Sequence, residues 1–115
     1  MLKKSLAAAR NGWKERRIVA AFQPHTFTRT KSLWKDFSES FNDADVVIVG
    51  EIYPAREKPI YGITAKMIFD EMERNSDKEI YYIPTVDDIS IFAKKFLKPG
   101  DIFITLGAGN ICESA

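Results

Sequence analysis

The chain has 115 residues, of which 45% are hydrophobic and 29% charged, and this composition is typical of one folded domain rather than of a disordered or collagen-like chain. No apolar run approaches the roughly 18 residues that a membrane-spanning helix needs, so we expect a cytoplasmic protein without membrane contact. The single cysteine, Cys112, excludes an internal disulfide and a cysteine metal cage. The net charge of +1 argues against nucleic-acid binding, although residues 1–35 hold nine Lys or Arg against one Glu.

Apolar periodicity predicts that helices and strands alternate along the chain. Apolar residues at helical spacing predict helices over residues 2–12 and 30–41, from Thr64 through at least Met72, and over residues 85–97. Uninterrupted apolar runs, which are typical of strands covered on both faces, predict strands over residues 17–22, 45–49, 79–83 and 101–106. The chain therefore contains four helix–strand pairs.

The connections are too long for hairpins, so we expect the strands to run parallel with right-handed crossovers. The predicted fold class is α/β: a three-layer α/β/α sandwich, Rossmann-like, with a mainly parallel sheet of at least four strands. Ligands of such sheets bind outside the carboxyl ends of the strands. The candidate segments for a site are therefore residues 23–29, 50–63, 84–86 and 107 to the terminus.

The segment from Gln23 to Lys31 is the densest group of polar donors in the chain and leads into a predicted helix. Arg29 offers a bidentate grip on a carboxylate or phosphate, and the amides at the helix start would attract the same anion. His25 is the only histidine, and it either joins Arg29 at this ligand or has a surface or structural role. Thr28 and Thr30 either belong to the site or only cap the helix.

The remaining motifs are weaker signals. Gly107-Ala108-Gly109 lacks the third glycine of a dinucleotide fingerprint, and no phosphate-binding Gly-x-x-x-x-Gly-Lys-Ser/Thr loop occurs in the sequence. Asp87-Asp88 suits a metal-binding carboxylate pair, but its place in the first turn of a helix favours capping. The long loop carries polar side chains that are either functional or cover the sheet edge, namely Glu51, Tyr53, Arg56 and Glu57.

Several ordered motifs, taken together, resemble one known family over nearly the whole chain. They are residues 22–30 (FQPHTFTRT), 37–41 followed by Ala44-Asp45, 52–57 (IYPARE), 62–63 (GI), Gly100-Asp101 and 107–110 (GAGN). On these motifs the chain is similar to the carboxyl-terminal domain of the Mur ligase family, and within it to the branch that joins L-alanine to UDP-N-acetylmuramate.

The resemblance implies a bacterial cytoplasmic enzyme of peptidoglycan synthesis with three domains, which serve the UDP sugar, ATP and the incoming amino acid. Its reaction uses ATP and magnesium and passes through an acyl phosphate that the amine of L-alanine attacks. Residues 1–115 correspond to the third domain. We therefore expect this chain to hold neither ATP nor magnesium, to contain no catalytic residue or metal ligand, and to be inactive without the UDP-binding and ATPase domains.

The same resemblance implies a set of substrate-binding residues. His25, Thr28 and Arg29 belong to the first motif, in which Arg29 would grip the carboxylate of L-alanine. Gly109 and Asn110 match the last loop of the family, near the closed active site. The chain departs from the family pattern at Thr26, where some relatives have a second arginine, and at residues 111–115, where a final helix is expected.

Three alternatives remain open at this point. The first is the related ligase that recycles a muropeptide by attaching a preformed tripeptide, although the first motif favours the alanine enzyme. The second is a non-catalytic module whose basic first third binds a nucleotide, a nucleic acid or a partner protein. The third is a free-standing small α/β enzyme, which would need a nucleophile and a base at a spacing that the sequence does not display.

Overall fold

The computed structural model describes residues 2–13, 15–54, 56–75 and 78–107. Four helices alternate with four strands, in the order α1 (Leu2–Gly12), β1 (Ile18–Gln23), α2 (Phe27–Ser38), β2 (Val46–Val49), α3 (Ala65–Asn75), β3 (Glu79–Tyr82), α4 (Val86–Phe96) and β4 (Ile102–Gly107). Among the described residues, no helix is long and apolar enough to cross a bilayer.

The strands form one parallel sheet in the order β3-β2-β1-β4. Every residue of β1 and of β2 is buried, as the uninterrupted apolar runs predicted. In the register of the sheet, Ala21 of β1 lies between Ile48 of β2 and Thr105 of β4. The prediction of a parallel α/β sheet is confirmed.

Side chains of the sheet alternate between two apolar cores. Ala20 and Phe22 of β1 face a core that includes residues of α1, α2 and α3. Val19 and Ala21 face the opposite core, into which α4 packs through Ile89. The sheet is therefore covered on both faces, which confirms the three-layer sandwich.

This arrangement places a topological switch point between β1 and β4. The chain leaves β1 for β2 through α2 on one face, and it reaches β4 on the other side of β1 through α4 on the opposite face. A crevice opens where such crossovers diverge, outside the carboxyl ends of the two strands. Gln23 of β1 pairs with Gly107 of β4 at this position.

Helix α2 begins and ends three residues earlier than predicted, at Phe27 and Ser38 rather than at residues 30 and 41. The difference at the start arises because Thr26 caps the helix, with its Oγ1 accepting a hydrogen bond from the amide of Arg29. Phe41 continues the apolar stripe of the helix in sequence, but it lies beyond the helix end and is buried in the core. The limits of the other elements differ by smaller amounts, as is usual for helix and strand ends.

At the amino end of the sheet, two cations of the basic first third form structural ion pairs. Arg10 lies 2.7 Å from the carboxylate of Asp45, and Arg17 lies 2.5 Å from that of Asp101. The carboxylate of Asp45 also accepts a hydrogen bond from the amide of Ile18, the first residue of β1. Part of the positive charge in this region therefore holds the fold together.

Candidate functional site

At the carboxyl edge of β1, the long loop after β2 pairs with the chain around His25. The amide of Tyr53 donates to the carbonyl of Pro24 at 2.8 Å, and the amide of Thr26 donates to the carbonyl of Tyr53 at 2.7 Å. The rings of His25 and Tyr53 stack with their centroids 5.7 Å apart and an interplanar angle of 20°. The pairing of β1 and β2 thus continues past the strand ends, and it fixes the backbone on both sides of His25.

Thr26 connects His25 to helix α2 in a strained backbone conformation. Its φ of 63° lies in the left-handed region, which a β-branched residue rarely adopts. Its carbonyl accepts hydrogen bonds from the amide and the hydroxyl of Thr30, at 3.2 Å and 2.8 Å. Thr30 is therefore a fully buried residue inside the helix and not a cap.

The amino end of α2 is occupied by the carboxylate of Glu57. Its Oε1 accepts hydrogen bonds from the amides of Phe27 and Thr28 at 2.8 Å and 3.0 Å, and its Oε2 accepts one from the Thr28 hydroxyl at 2.7 Å. The hydrogen bonds from Thr28 and Phe27, together with the nearby His25, outweigh partial desolvation and lower the pKa of Glu57 below its ordinary value. This carboxylate is therefore ionised at neutral pH.

One sequence-based expectation is consequently wrong. The amides that start α2 were expected to attract an external anion, but Glu57 takes those of Phe27 and Thr28, and Thr26 takes those of Arg29 and Thr30. At the start of α2, an anionic ligand would therefore have to be bound by side chains rather than by these four amides. Thr28, predicted to bind substrate or to cap the helix, donates both its amide and its hydroxyl hydrogen to Glu57, and its role in substrate binding stays a prediction.

Arg29 and His25 are the cationic and imidazole donors that remain. Both side chains are exposed, and both follow β1 at the same edge of the sheet, on either side of Thr26. Within the described part of the chain, the guanidinium of Arg29 has no carboxylate partner. The structure thus brings these two predicted residues to one edge and leaves the guanidinium open to a ligand.

A second carboxylate of the long loop holds the start of α3. Oε1 of Glu51 accepts hydrogen bonds from the amides of Ile52 and Ala65, both at 3.0 Å, and Oε2 accepts one from the hydroxyl of Tyr82. Burial raises the pKa of Glu51, but these three hydrogen bonds outweigh it and leave the pKa lowered. Burial and the same hydrogen bond raise the pKa of Tyr82 to about 12.

The start of α4 is also capped from within the chain. Oγ1 of Thr85 accepts a hydrogen bond from the amide of Asp88 at 3.2 Å, and Asp87 and Asp88 occupy the first turn with exposed side chains. This arrangement supports capping over a metal-binding role for the two aspartates. In the part of the chain that the structure describes, His, Cys, Asp and Glu side chains do not gather in threes as a metal site requires.

The remaining predicted site residues, Gly109 and Asn110, lie outside the described residues. Two features of the site were missed in the sequence. One is the role of Glu57. The first turn of α2 contains no acidic residue, so its unpaired amides are open to an acceptor from another part of the chain, and this could have suggested such a role. The other is Gln23, whose buried Oε1 has no hydrogen-bond partner among the described residues. No sequence pattern marks that atom.

Comparison with known proteins shows which protein family this doubly wound domain belongs to. A family model described as "Mur ligase, glutamate ligase domain" matches residues 1–109. The chain therefore belongs to the family of Mur ligase carboxyl-terminal domains, and the resemblance found in the sequence is confirmed.

Curated relatives place the chain within this family more closely. It is 45% identical over 113 residues to the UDP-N-acetylmuramate–L-alanine ligase of Trichlorobacter lovleyi, covering 98% of this chain and 25% of the relative. It is 48% identical over 112 residues to the ligase of the same name from Geotalea uraniireducens, covering 97% of this chain and 24% of the relative. The chain thus spans about a quarter of the length of these relatives.

Solved structures agree with this assignment. The UDP-N-acetylmuramate-alanine ligase of Thermotoga maritima matches with a TM-score of 0.71 and 25% identity, over 98% of this chain and 22% of that protein. A murein peptide ligase from Psychrobacter arcticus matches with a TM-score of 0.76 over 98% of this chain and 23% of that protein. At 21% identity, the second similarity shows a shared fold alone.

Proposed function

We propose that this chain is the carboxyl-terminal domain of an ATP-dependent ligase that joins L-alanine to UDP-N-acetylmuramate in bacterial peptidoglycan synthesis, in the cytoplasm. The observation that carries the proposal is the match over nearly the whole chain, at 45% and 48% identity, to ligases named for this reaction. The same relatives favour L-alanine as the substrate over the preformed tripeptide of a recycling ligase.

In this proposal the chain supplies part of the amino-acid site. Arg29, exposed in the first turn of α2, binds the carboxylate of L-alanine through its two-pronged guanidinium, and His25 lies at the same edge of the sheet. Gly109 and Asn110, which follow β4 in the sequence, are proposed as further residues of this site on the family resemblance alone. Thr28 contributes through its contacts with Glu57 rather than through a free amide.

The remaining parts of the reaction belong to the other two domains of such a ligase. There the lactyl carboxylate would attack the γ-phosphorus of ATP, which forms an acyl phosphate and releases ADP, and bound magnesium would supply neutralisation of the phosphate charge. The amine of L-alanine attacks the acyl carbon, and the tetrahedral intermediate collapses to the amide with release of phosphate. We assign no ATP or magnesium ligand to this chain, and we expect it to be inactive by itself.

The test is a fusion in which this chain replaces the matching quarter of the Trichlorobacter lovleyi ligase. Phosphate release should require ATP, UDP-N-acetylmuramate and L-alanine together, and the isolated chain should release none. A folded but inactive fusion, beside an active parent enzyme, would overturn the proposed function. Phosphate release by the isolated chain would contradict the division of labour between the domains.

Arg29 is tested in the same fusion. Arg29→Ala should raise the KM for L-alanine and leave the KM for ATP unchanged. Lys31→Ala is the matched control, because Lys31 is another exposed cation of α2, two residues further along. An alanine KM that Arg29→Ala does not change would remove Arg29 from the site.

A further inference from the structure

Glu57 reaches the start of α2 from a loop that lies about 30 residues further along the chain. We propose that Glu57 is a positioning residue for the amino-acid site: its carboxylate fixes the first turn of α2 and so holds Arg29 and His25 in the arrangement that binds a carboxylate. This inference rests on the proposed function. It adds a residue that acts through two others and does not itself face the substrate's carboxylate.

His25 and the start of α2 are held at two points. The backbone of Tyr53 is hydrogen-bonded to Pro24 and Thr26, which flank His25, and the carboxylate of Glu57 is hydrogen-bonded to Phe27 and Thr28. We call these two attachments the clamp. The two points are themselves joined, because the amide of Glu57 donates to the carbonyl of Pro54 at 2.9 Å.

Thr26, which is strained, lies between the two points of the clamp. A β-branched residue keeps a positive φ only where its surroundings leave it no alternative. Loss of one attachment point allows Thr26 to relax towards an ordinary conformation. Such a change rotates the chain between His25 and Arg29 and so alters the position of the two side chains relative to each other.

The negative charge of Glu57 has the same sign as that of the proposed substrate carboxylate. Glu57 brings a negative charge to the edge where a substrate carboxylate is to bind, and electrostatics alone would make this residue unfavourable there. Its carboxylate, however, accepts three hydrogen bonds from the first turn of α2. Hydrogen bonds to an ionised acceptor are stronger than those to a neutral one, so this geometry stabilises the helix start in a way that a neutral side chain cannot match.

The experiment uses the fusion enzyme of the preceding section with Glu57→Ala. The expected result is an L-alanine KM raised by about tenfold, the size of effect that follows from weakening one charge-assisted contact. We expect kcat at saturating L-alanine to stay within about twofold, because the reacting groups lie in other domains. Glu57→Gln keeps one acceptor oxygen and should give a smaller rise in KM.

Asp45→Ala is the matched control. Asp45 is also a carboxylate that accepts a backbone amide and a side-chain donor, from Ile18 and Arg10, but at the opposite end of β1. Its replacement should leave the alanine KM unchanged. A rise in KM that is equal in both variants, or a fall in kcat alone in both, would reduce Glu57 to a general stabilising role and overturn the inference.

The outcomes separate this inference from the proposed function. If Arg29→Ala raises the alanine KM and Glu57→Ala does not, the amino-acid site stands and the positioning role of Glu57 is wrong. If neither variant changes it, the site itself is wrong. Should Glu57→Ala fail to fold, Glu57→Gln provides the same comparison at nearly unchanged side-chain volume.

A second measurement uses the chain alone. In a pH titration followed by NMR, the side-chain Nε–H signal of Arg29 should shift as Glu57 becomes protonated, with a midpoint below the ordinary glutamate value of 4.5. The shift should vanish in Glu57→Gln and persist in Asp45→Asn. An Arg29 signal that does not respond to the protonation of Glu57 would contradict the proposal that Glu57 positions Arg29 through the first turn of α2.

Discussion

Gly50, the residue that follows β2, lies directly against the side chain of Ile89 in α4. A Cβ atom at residue 50 would come within 3.1 Å of Cδ1 of Ile89, closer than carbon atoms normally pack. The amide of Gly50 also donates to the carbonyl of Phe22 at 2.8 Å, so the backbone at this point has little freedom to move away. A side chain at residue 50 would therefore require Ile89 to shift by a few tenths of an ångström.

This contact predicts non-additive stability in a double-mutant cycle. Gly50→Ala should destabilise the chain by about 1–2 kcal/mol through overpacking, and Ile89→Val by about 1 kcal/mol through loss of a methylene. The double variant should lose less than the sum, because Val lacks the Cδ1 atom that the new methyl group meets. Urea unfolding of the four proteins measures this, and simple additivity would show that the contact does not limit residue 50.

Replacement of Gln23 by an apolar residue is expected to preserve or increase the stability of the chain. Its side-chain oxygen is buried and has no hydrogen-bond partner among the described residues, so an apolar residue of similar shape removes a desolvation cost. Gln23→Met should therefore leave the free energy of unfolding unchanged or raise it by about 1 kcal/mol.

Thr30→Val is the control for this substitution. Thr30 is equally buried, but its hydroxyl is hydrogen-bonded to the carbonyl of Thr26, so its loss should destabilise the chain by about 1 kcal/mol. The two substitutions therefore have opposite expected signs in thermal or urea unfolding. Equal destabilisation by both would mean that Gln23 finds a hydrogen-bond partner in solution.

The hydrogen bond between Tyr82 and Glu51 predicts that the Tyr82 hydroxyl ionises at a higher pH in the folded chain than in the unfolded chain. The pKa of Tyr82 is raised to about 12, so its hydroxyl stays protonated in the folded chain at pH values where it ionises in the unfolded chain. A raised folded-state pKa contributes stability that is fully present below the unfolded pKa of about 10 and is lost as the pH rises towards 12. Glu51→Gln should lower the pKa of Tyr82, since it removes the charge opposite the hydroxyl. NMR of labelled tyrosine rings measures both values, and an unchanged pKa in the variant would contradict this origin.

Weak binding of L-alanine to the isolated chain is a further prediction. Because the proposed site is completed by domain closure, we expect a dissociation constant of about 1 mM or weaker, corresponding to about −4 kcal/mol. NMR shifts on adding L-alanine should concentrate at Arg29 and His25, be lost in Arg29→Ala and be retained in Lys31→Ala. Calorimetric binding of micromolar strength would contradict the need for closure.

The strands and the parallel sheet could be predicted because their signal is local. Val46–Val49 is apolar without interruption, and all four residues are buried, as expected of a strand covered on both faces. The order of the strands could not be predicted, because periodicity within a segment contains no information about its neighbours. The position of the switch point between β1 and β4 therefore needed the structure.

The residue at which α2 begins, and the hydrogen-bond acceptors of its first amides, could not be predicted either, because they also depend on contacts between distant parts of the chain. The residue that caps the helix, Thr26, adopts a backbone conformation that its type disfavours, and the acid that completes the cap comes from Glu57. Both depend on contacts that are distant in sequence. Arg29 and His25 could be selected as candidates because their chemistry is evident from residue type and from their place after β1.

In each of the three described helices that follow a strand at this edge, at least one amide of the first turn donates to a side-chain oxygen of the same chain, that of Glu57, Glu51 or Thr85. An amino-acid substitution replaces a side chain and leaves the backbone amide in place, so binding through side chains is changed more easily than binding through amides. If the proposed function holds, binding by exposed side chains such as Arg29 would let this domain acquire a preference for a different amino acid while the hydrogen bonds of its helix starts stay intact.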